Sequence, residues 1–191
     1  MSADDPRWKK FCDPDYRCPC CRKSFGGVFD IAFDHPDTWP HGNRAESGKN
    51  AIGVGDDRLG SDLCTIGTDR FIRGTLRLPI IGTDQVFAYG VWGSVNEGNY
   101  VKYVKDYNGE SDPAFEGCFA WLCNMLPTWG MTEALPCDLI LGPLGQRPAI
   151  WVHEESGHPL AQAQQDGISF DQLLDLYEAS GQDVRSHLLD A

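Results

Sequence analysis

Two apolar-rich runs, FIRGTLRLPI at 71–80 and VFAYGVWGS at 86–94, flank the short turn sequence IGTDQ. In the first, Phe71, Arg73, Thr75 and Arg77 alternate with Ile72, Leu76 and Leu78. That two-residue period belongs to a β-strand, and the second run reads as its antiparallel return. Gly74 breaks the alternation and marks a bulge or a close approach of another backbone. Pro79 ends the strand or sets it near an edge, and Asp62–Thr65 reads as a preceding strand.

The remaining segments attach to that hairpin. Ser94 with Glu97 has capping-box spacing, which predicts a helix from about 95 to 107 with Tyr100, Val101, Val104 and Tyr107 as its apolar stripe. GCFAWLCNML, CDLILG and PAIWVH are three further short strands. HPLAQAQQDG then predicts a helix capped by His158, opened by Pro159 and stopped by Gly167. SFDQLLDLYEASG predicts another, capped by Ser169 with Gln172 and stopped by Gly181, with Phe170, Leu173, Leu174 and Tyr177 facing the sheet. The expected fold is α+β: an antiparallel sheet with one inserted helix and C-terminal helices packed on it. Residues 51–191 form this domain, and residues 1–50 are a Cys-rich, loop-dominated segment ordered if something such as a metal ties it down.

Composition narrows the function. The 191-residue chain has a formal net charge of −12. Residues 154–191 hold Glu154, Glu155, Asp166, Asp171, Asp175, Glu178, Asp183 and Asp190 against Arg185 alone. Such a surface repels nucleic-acid phosphates and steers toward a basic protein or a cationic ligand. No stretch approaches the ~20 apolar residues of a membrane span. MSADDPRWKK carries early acids and no apolar run, so no secretory signal and a cytoplasmic address are expected. In a reducing compartment the eight cysteines are free thiols, with or without a metal site.

The chemistry-bearing residues leave several readings open. Cys18 and Cys21 have C-x-x-C spacing, which points two thiolates of one turn at the same zinc ion. The other ligands would come from Cys12, Cys20, His35, His41 or Cys64, with Cys12 and His35 nearest in sequence. A redox pair would need a strand before the motif, and FCDPDYR is none. Cys64 with His158 or His153 as base is a candidate nucleophile. Arg73 and Arg77, on one strand face with Arg58 and Arg70 near in sequence, are candidates for binding a carboxylate or phosphate. Trp92, Trp121, Trp129 and Trp151 read as core, and an exposed one would indicate a contact surface.

Several segments together resemble a bacterial family, the domain of unknown function numbered 2199. They are Cys18 and Cys21, SDLC at 61–64, FIRG at 71–74, LPIIG at 78–82, YGVWGS at 89–94, GCFAWLCNMLP at 117–127, RP at 147–148 and HPLAQAQQDGI at 158–168. The resemblance spans roughly residues 15–170. It implies a histidine a few residues past the second cysteine, where this chain has Lys23, Ser24 and Phe25. It implies no activity.

Three function classes follow. The first is a non-enzymatic protein-binding domain whose acidic surface, with Glu154, Glu155 and Asp171, holds a basic partner as immunity or inhibitor proteins do. The second is a small enzyme using Cys64 and His158 beside the arginine-lined strand face. The third is a zinc-stabilised adaptor whose first fifty residues are the recognition element.

Overall fold

The computed structural model describes residues 4–48, 50–110, 115–143 and 145–189; Asp190 is among those outside it. The predicted hairpin is its spine. Strand β5 (Asp69–Pro79) pairs antiparallel with β6 (Val86–Val95) from Arg70↔Val95 to Pro79↔Val86. Before it run β2 (Ile52–Val54), β3 (Asp57–Leu59) and β4 (Leu63–Ile66), each antiparallel to the next. After it come β7 (Gly117–Leu122), β8 (Pro136–Ile140) and β9 (Ala149–Val152), where the three short strands were expected.

The sheet does more than lie flat. β6 pairs with β7, β7 with β8 and β8 with β9, and β9 returns to β5 in parallel at Thr75↔Ala149. Five strands therefore close a ring, which removes most of their free edges. Gly74 is the close approach the sequence signalled: a Cβ there would meet Ile150 Cγ1 at 2.7 Å and the Pro148 carbonyl oxygen at 2.9 Å. The seam between β9 and β5 is narrow, and past it a side chain occupies the edge of β9. The buried Gln164 accepts from the Val152 N–H (2.8 Å) and donates to the Ile150 carbonyl (2.9 Å), acting as a short substitute strand.

Gln164 belongs to α4 (Pro159–Asp166), and the chain continues into α5 (Phe170–Ala179). Both helices start as predicted. His158 Nδ1 accepts from the Leu160 N–H, and Ser169 and Gln172 form the full reciprocal capping box. Phe170, Leu173, Leu174 and Tyr177 are all buried, in one core with Leu76, Phe87, Leu122, Leu139 and Ile150.

One local expectation is corrected. Helix α3 (Glu97–Tyr107) is capped by Asn96, whose side chain accepts from the Asn99 N–H, because Ser94 is still inside β6 and pairs with Phe71 and Trp121. Its buried residue is Tyr103, while Val101 and Tyr107 are exposed. The first fifty residues are loop-dominated as expected, with three short elements set among the loops. Asp5 caps α1 (Pro6–Cys12), and its Trp8 and Phe11 enter the same core, with Phe11 0 % exposed. The short helix α2 (Arg44–Ser47) follows β1 (Ile31–Ala32), which pairs in parallel with β6. Tyr177 stacks on Phe29 at 4.0 Å and bonds both its N–H and its carbonyl. No helix among the described residues is long and apolar enough to cross a membrane.

Candidate metal centre and neighbouring surfaces

The turn around CPCC is closed by its own backbone. The Cys18 N–H donates to the Lys23 carbonyl at 2.9 Å, and the Arg22 N–H donates to the Cys18 carbonyl at 2.8 Å. Arg22 takes a left-handed backbone (φ 66°) that turns the chain back. Three thiols consequently crowd one side of a tight knuckle, with Cys18 buried and Cys20 and Cys21 exposed.

The fourth group arrives from the far end of the chain. A 3-10 turn, Arg185–His187, is flanked by the buried Val184 and Leu188. Asp183, just before it, accepts from the Ser186 N–H and hydroxyl. Tyr16 donates its hydroxyl to the His187 carbonyl at 2.9 Å, and the Phe25 ring lies 5.9 Å from the imidazole. These contacts fix His187 so that its Nδ1 sits 3.4 Å from Cys21 Sγ, across 166 residues of sequence.

Cys18, Cys20, Cys21 and His187 thus place four ligand atoms within 4.8 Å of one another, a cluster that could hold a metal ion. A tetrahedral ion with bonds of about 2.3 Å to sulfur and about 2.05 Å to nitrogen sets edges of roughly 3.8 Å (S to S) and roughly 3.6 Å (S to N). The observed 3.0 Å between Cys18 and Cys20 Sγ and 3.4 Å between Cys21 and His187 bracket that geometry from below, and 4.8 Å from above. The contact between the first two thiols holds the Cys18 pKa down to about 6, with His187 helping, and pushes Cys20 up to about 11.

The structure brings Cys18 and Cys21 together as the spacing indicated, and it replaces the two ligands chosen for nearness in sequence. Cys12 is half-buried against the core at the end of α1, where burial raises its thiol pKa. His35 turns its Nδ1 to the Pro36 carbonyl oxygen at 2.9 Å. His41 is paired with Asp57 at 2.7 Å. His187 had no sequence signal linking it to the cysteines, and Cys20 had only its adjacency.

The other candidates hold structural posts. Cys64 is 0 % exposed in a second cluster with Trp39, Leu59, Phe71 and Trp92, and burial pushes its thiol to about 12. His158 is occupied as the cap of α4. Arg73 is buried, donates to the Phe33 carbonyl at 2.6 Å and the Ser61 carbonyl at 3.3 Å, and lies 5.6 Å from the Trp92 ring. Arg77, on the same strand face, is exposed, so the pair forms no common pocket. Asp171 is bound by Arg7 at 2.9 Å and by Arg185 at 3.1 Å, which hold its carboxyl below the usual range.

Glu154 and Glu155 are exposed in a 3-10 turn after β9, with no ion-pair partner among the described residues. Beside them the outer face of the ring is aromatic. Trp92 is buried as expected, but Trp121 is 47 % and Trp151 42 % exposed, together with Phe119. Core residues face inward from β7 to β9 (Ala120, Leu122, Cys137, Leu139, Ile150, Val152), and the alternate positions turn these rings out.

The family model for "Uncharacterized protein conserved in bacteria (DUF2199)" matches residues 17–168. The matched segment contains the three cysteines and ends before His187. No curated protein and no solved structure matches the chain significantly.

Proposed function

This chain belongs to the bacterial family DUF2199, and from that premise we propose that it is a zinc-stapled, non-catalytic domain that binds a basic protein partner. The observation that carries the reading is the Cys18, Cys20, Cys21 and His187 cluster, which joins a knuckle near the start of the chain to a turn 166 residues away. Three thiolates and one imidazole are the donor set of structural zinc, with no ligand position left for a substrate. In that role the ion clamps the N-terminal knuckle to the C-terminal turn. The eight cysteines are all unpaired, so a reducing, cytoplasmic address goes with the reading.

The structural posts of Cys64, His158 and Arg73 support binding over the small-enzyme alternative, since the Cys64 thiol is buried, His158 caps α4 and Arg73 bonds backbone carbonyls. The charge of −12 supports a basic partner. Metal analysis of protein purified under reducing conditions tests the staple. About one zinc per chain is expected, lost in Cys18→Ser and in His187→Ala and retained in Cys12→Ser and His35→Ala. Absence of metal from the wild type, or loss in Cys12→Ser with retention in His187→Ala, overturns it.

A further inference from the structure

The aromatic face and the unpaired carboxylates meet at one place. A cleft of about 360 Å³ opens at the end of β8 and β9 and is lined by Asp138, Trp151, His153, Glu154, Glu155 and Gln165, among others. Asp138 stands in one cross-strand row with Phe119 and Trp151, because β7, β8 and β9 pair Phe119↔Asp138 and Asp138↔Trp151. Phe119 in turn packs edge-on to Trp121 at 4.9 Å and to His153 at 5.6 Å. The rings thus form a supported platform that continues from the cleft.

We propose that this cleft receives an arginine side chain of a basic partner, with the partner's flanking segment lying on the Phe119 and Trp121 platform. The proposal rests on the basic-partner reading above and names where and how that partner is recognised. Three features favour a cation. No lysine or arginine lines the cleft among the described residues, whereas Asp138, Glu154 and Glu155 do. Elsewhere, carboxylates such as Asp62, Asp34 and Asp171 are held by arginines of the same chain; Glu154 and Glu155 are not. An exposed indole beside carboxylates suits a guanidinium, which stacks on the ring and bonds carboxylate oxygens in its own plane. Asp138 also lies 3.1 Å from His153 Nε2, so that carboxylate is already oriented toward the cleft wall.

The apolar part has an occupant for the same reason. Phe119, Trp121, Ile140 and Trp151 are each more than two-fifths exposed on one sheet face. Aromatic surface rimmed by acids matches a segment that mixes arginine with apolar residues, and rejects an acidic one.

The test uses the full chain and a tetra-arginine peptide, read by tryptophan fluorescence at low salt, with the tetra-citrulline peptide as its uncharged isostere. Saturable quenching by the arginine peptide alone is expected. Trp151→Leu and the double variant Glu154→Gln, Glu155→Gln should each weaken it by about fivefold or more, and Glu97→Gln, at an exposed carboxylate outside the cleft, should leave it unchanged. Circular dichroism of each variant keeps loss of fold separate from loss of binding. Equal binding of the citrulline peptide overturns the cation. Arginine binding that persists in both cleft variants overturns the cleft while leaving a basic partner in place, and no binding to any variant or the wild type overturns both.

Discussion

On the staple reading, withdrawing the metal is the first perturbation to work through, and its size follows from ligand linkage. A ligand that binds only the native state and is present at a hundred times its Kd stabilises by about 2.7 kcal/mol. In a chain of this length each kcal/mol moves the melting temperature by about 2–4 °C. Chelation should therefore lower it by about 5–10 °C under those conditions, and added zinc should restore it. The metal-free chain should still melt in one step. Val184 and Leu188 remain buried, and Tyr16 still bonds the His187 carbonyl, so the C-terminal turn keeps its seat without the ion. His187→Ala should match the metal-free wild type and gain little from zinc. Thiol titration run alongside should expose Cys18, Cys20 and Cys21 on chelation, while Cys64 and Cys137 stay shielded by burial. A melting temperature and thiol count indifferent to chelator and to added zinc would refute the staple.

Two further outcomes test the fold that carries it. Burial raises the pKa of Tyr100, takes Tyr103 to about 12 and lifts Tyr89 and Tyr177 as well. Unfolded phenols ionise near 10, so this contribution is complete below pH ~10 and is lost as pH rises through the native values. Stability should fall from pH ~10 upward, with a jump in phenolate absorbance at the unfolding midpoint; full ionisation before unfolding would contradict it. Gln164→Leu should leave the Val152 N–H and the Ile150 carbonyl without partners, at about 1–3 kcal/mol each, seen as a lower urea midpoint with an unchanged slope. A shift worth under about 0.5 kcal/mol would mean that the edge of β9 does not depend on that side chain.

Much of the architecture was legible because its signals are local. The alternation around residues 71–94, the Ser169 and Gln172 box and the His158–Pro159 helix start each involve residues a few positions apart. Even Gly74 announced a close neighbour, though not which one. What could not be read was decided by distance along the chain. Nothing near CPCC names His187, and nothing in PAIWVH says that β9 turns back to β5. Helix α1 was missed although Asp5 and Pro6 are sound cap and first-turn residues, because a seven-residue helix has little periodicity to show. Trp121 and Trp151 read as core because they fall in strands, yet both are exposed, since apolar residues occupy both faces of those strands. Alternation alone does not say which face the helices cover.

The separation of Cys21 from His187 also sets an order of events during synthesis. On the zinc-staple reading, the three thiols emerge early and would gather zinc only loosely, with the fourth position open to water or to another thiol. The site closes after the intervening strands have ringed up and Val184 and Leu188 have found their pockets. Tight metal retention would then be a property of the finished molecule, and a nascent or truncated chain lacking residue 187 would give zinc up to any competing chelator.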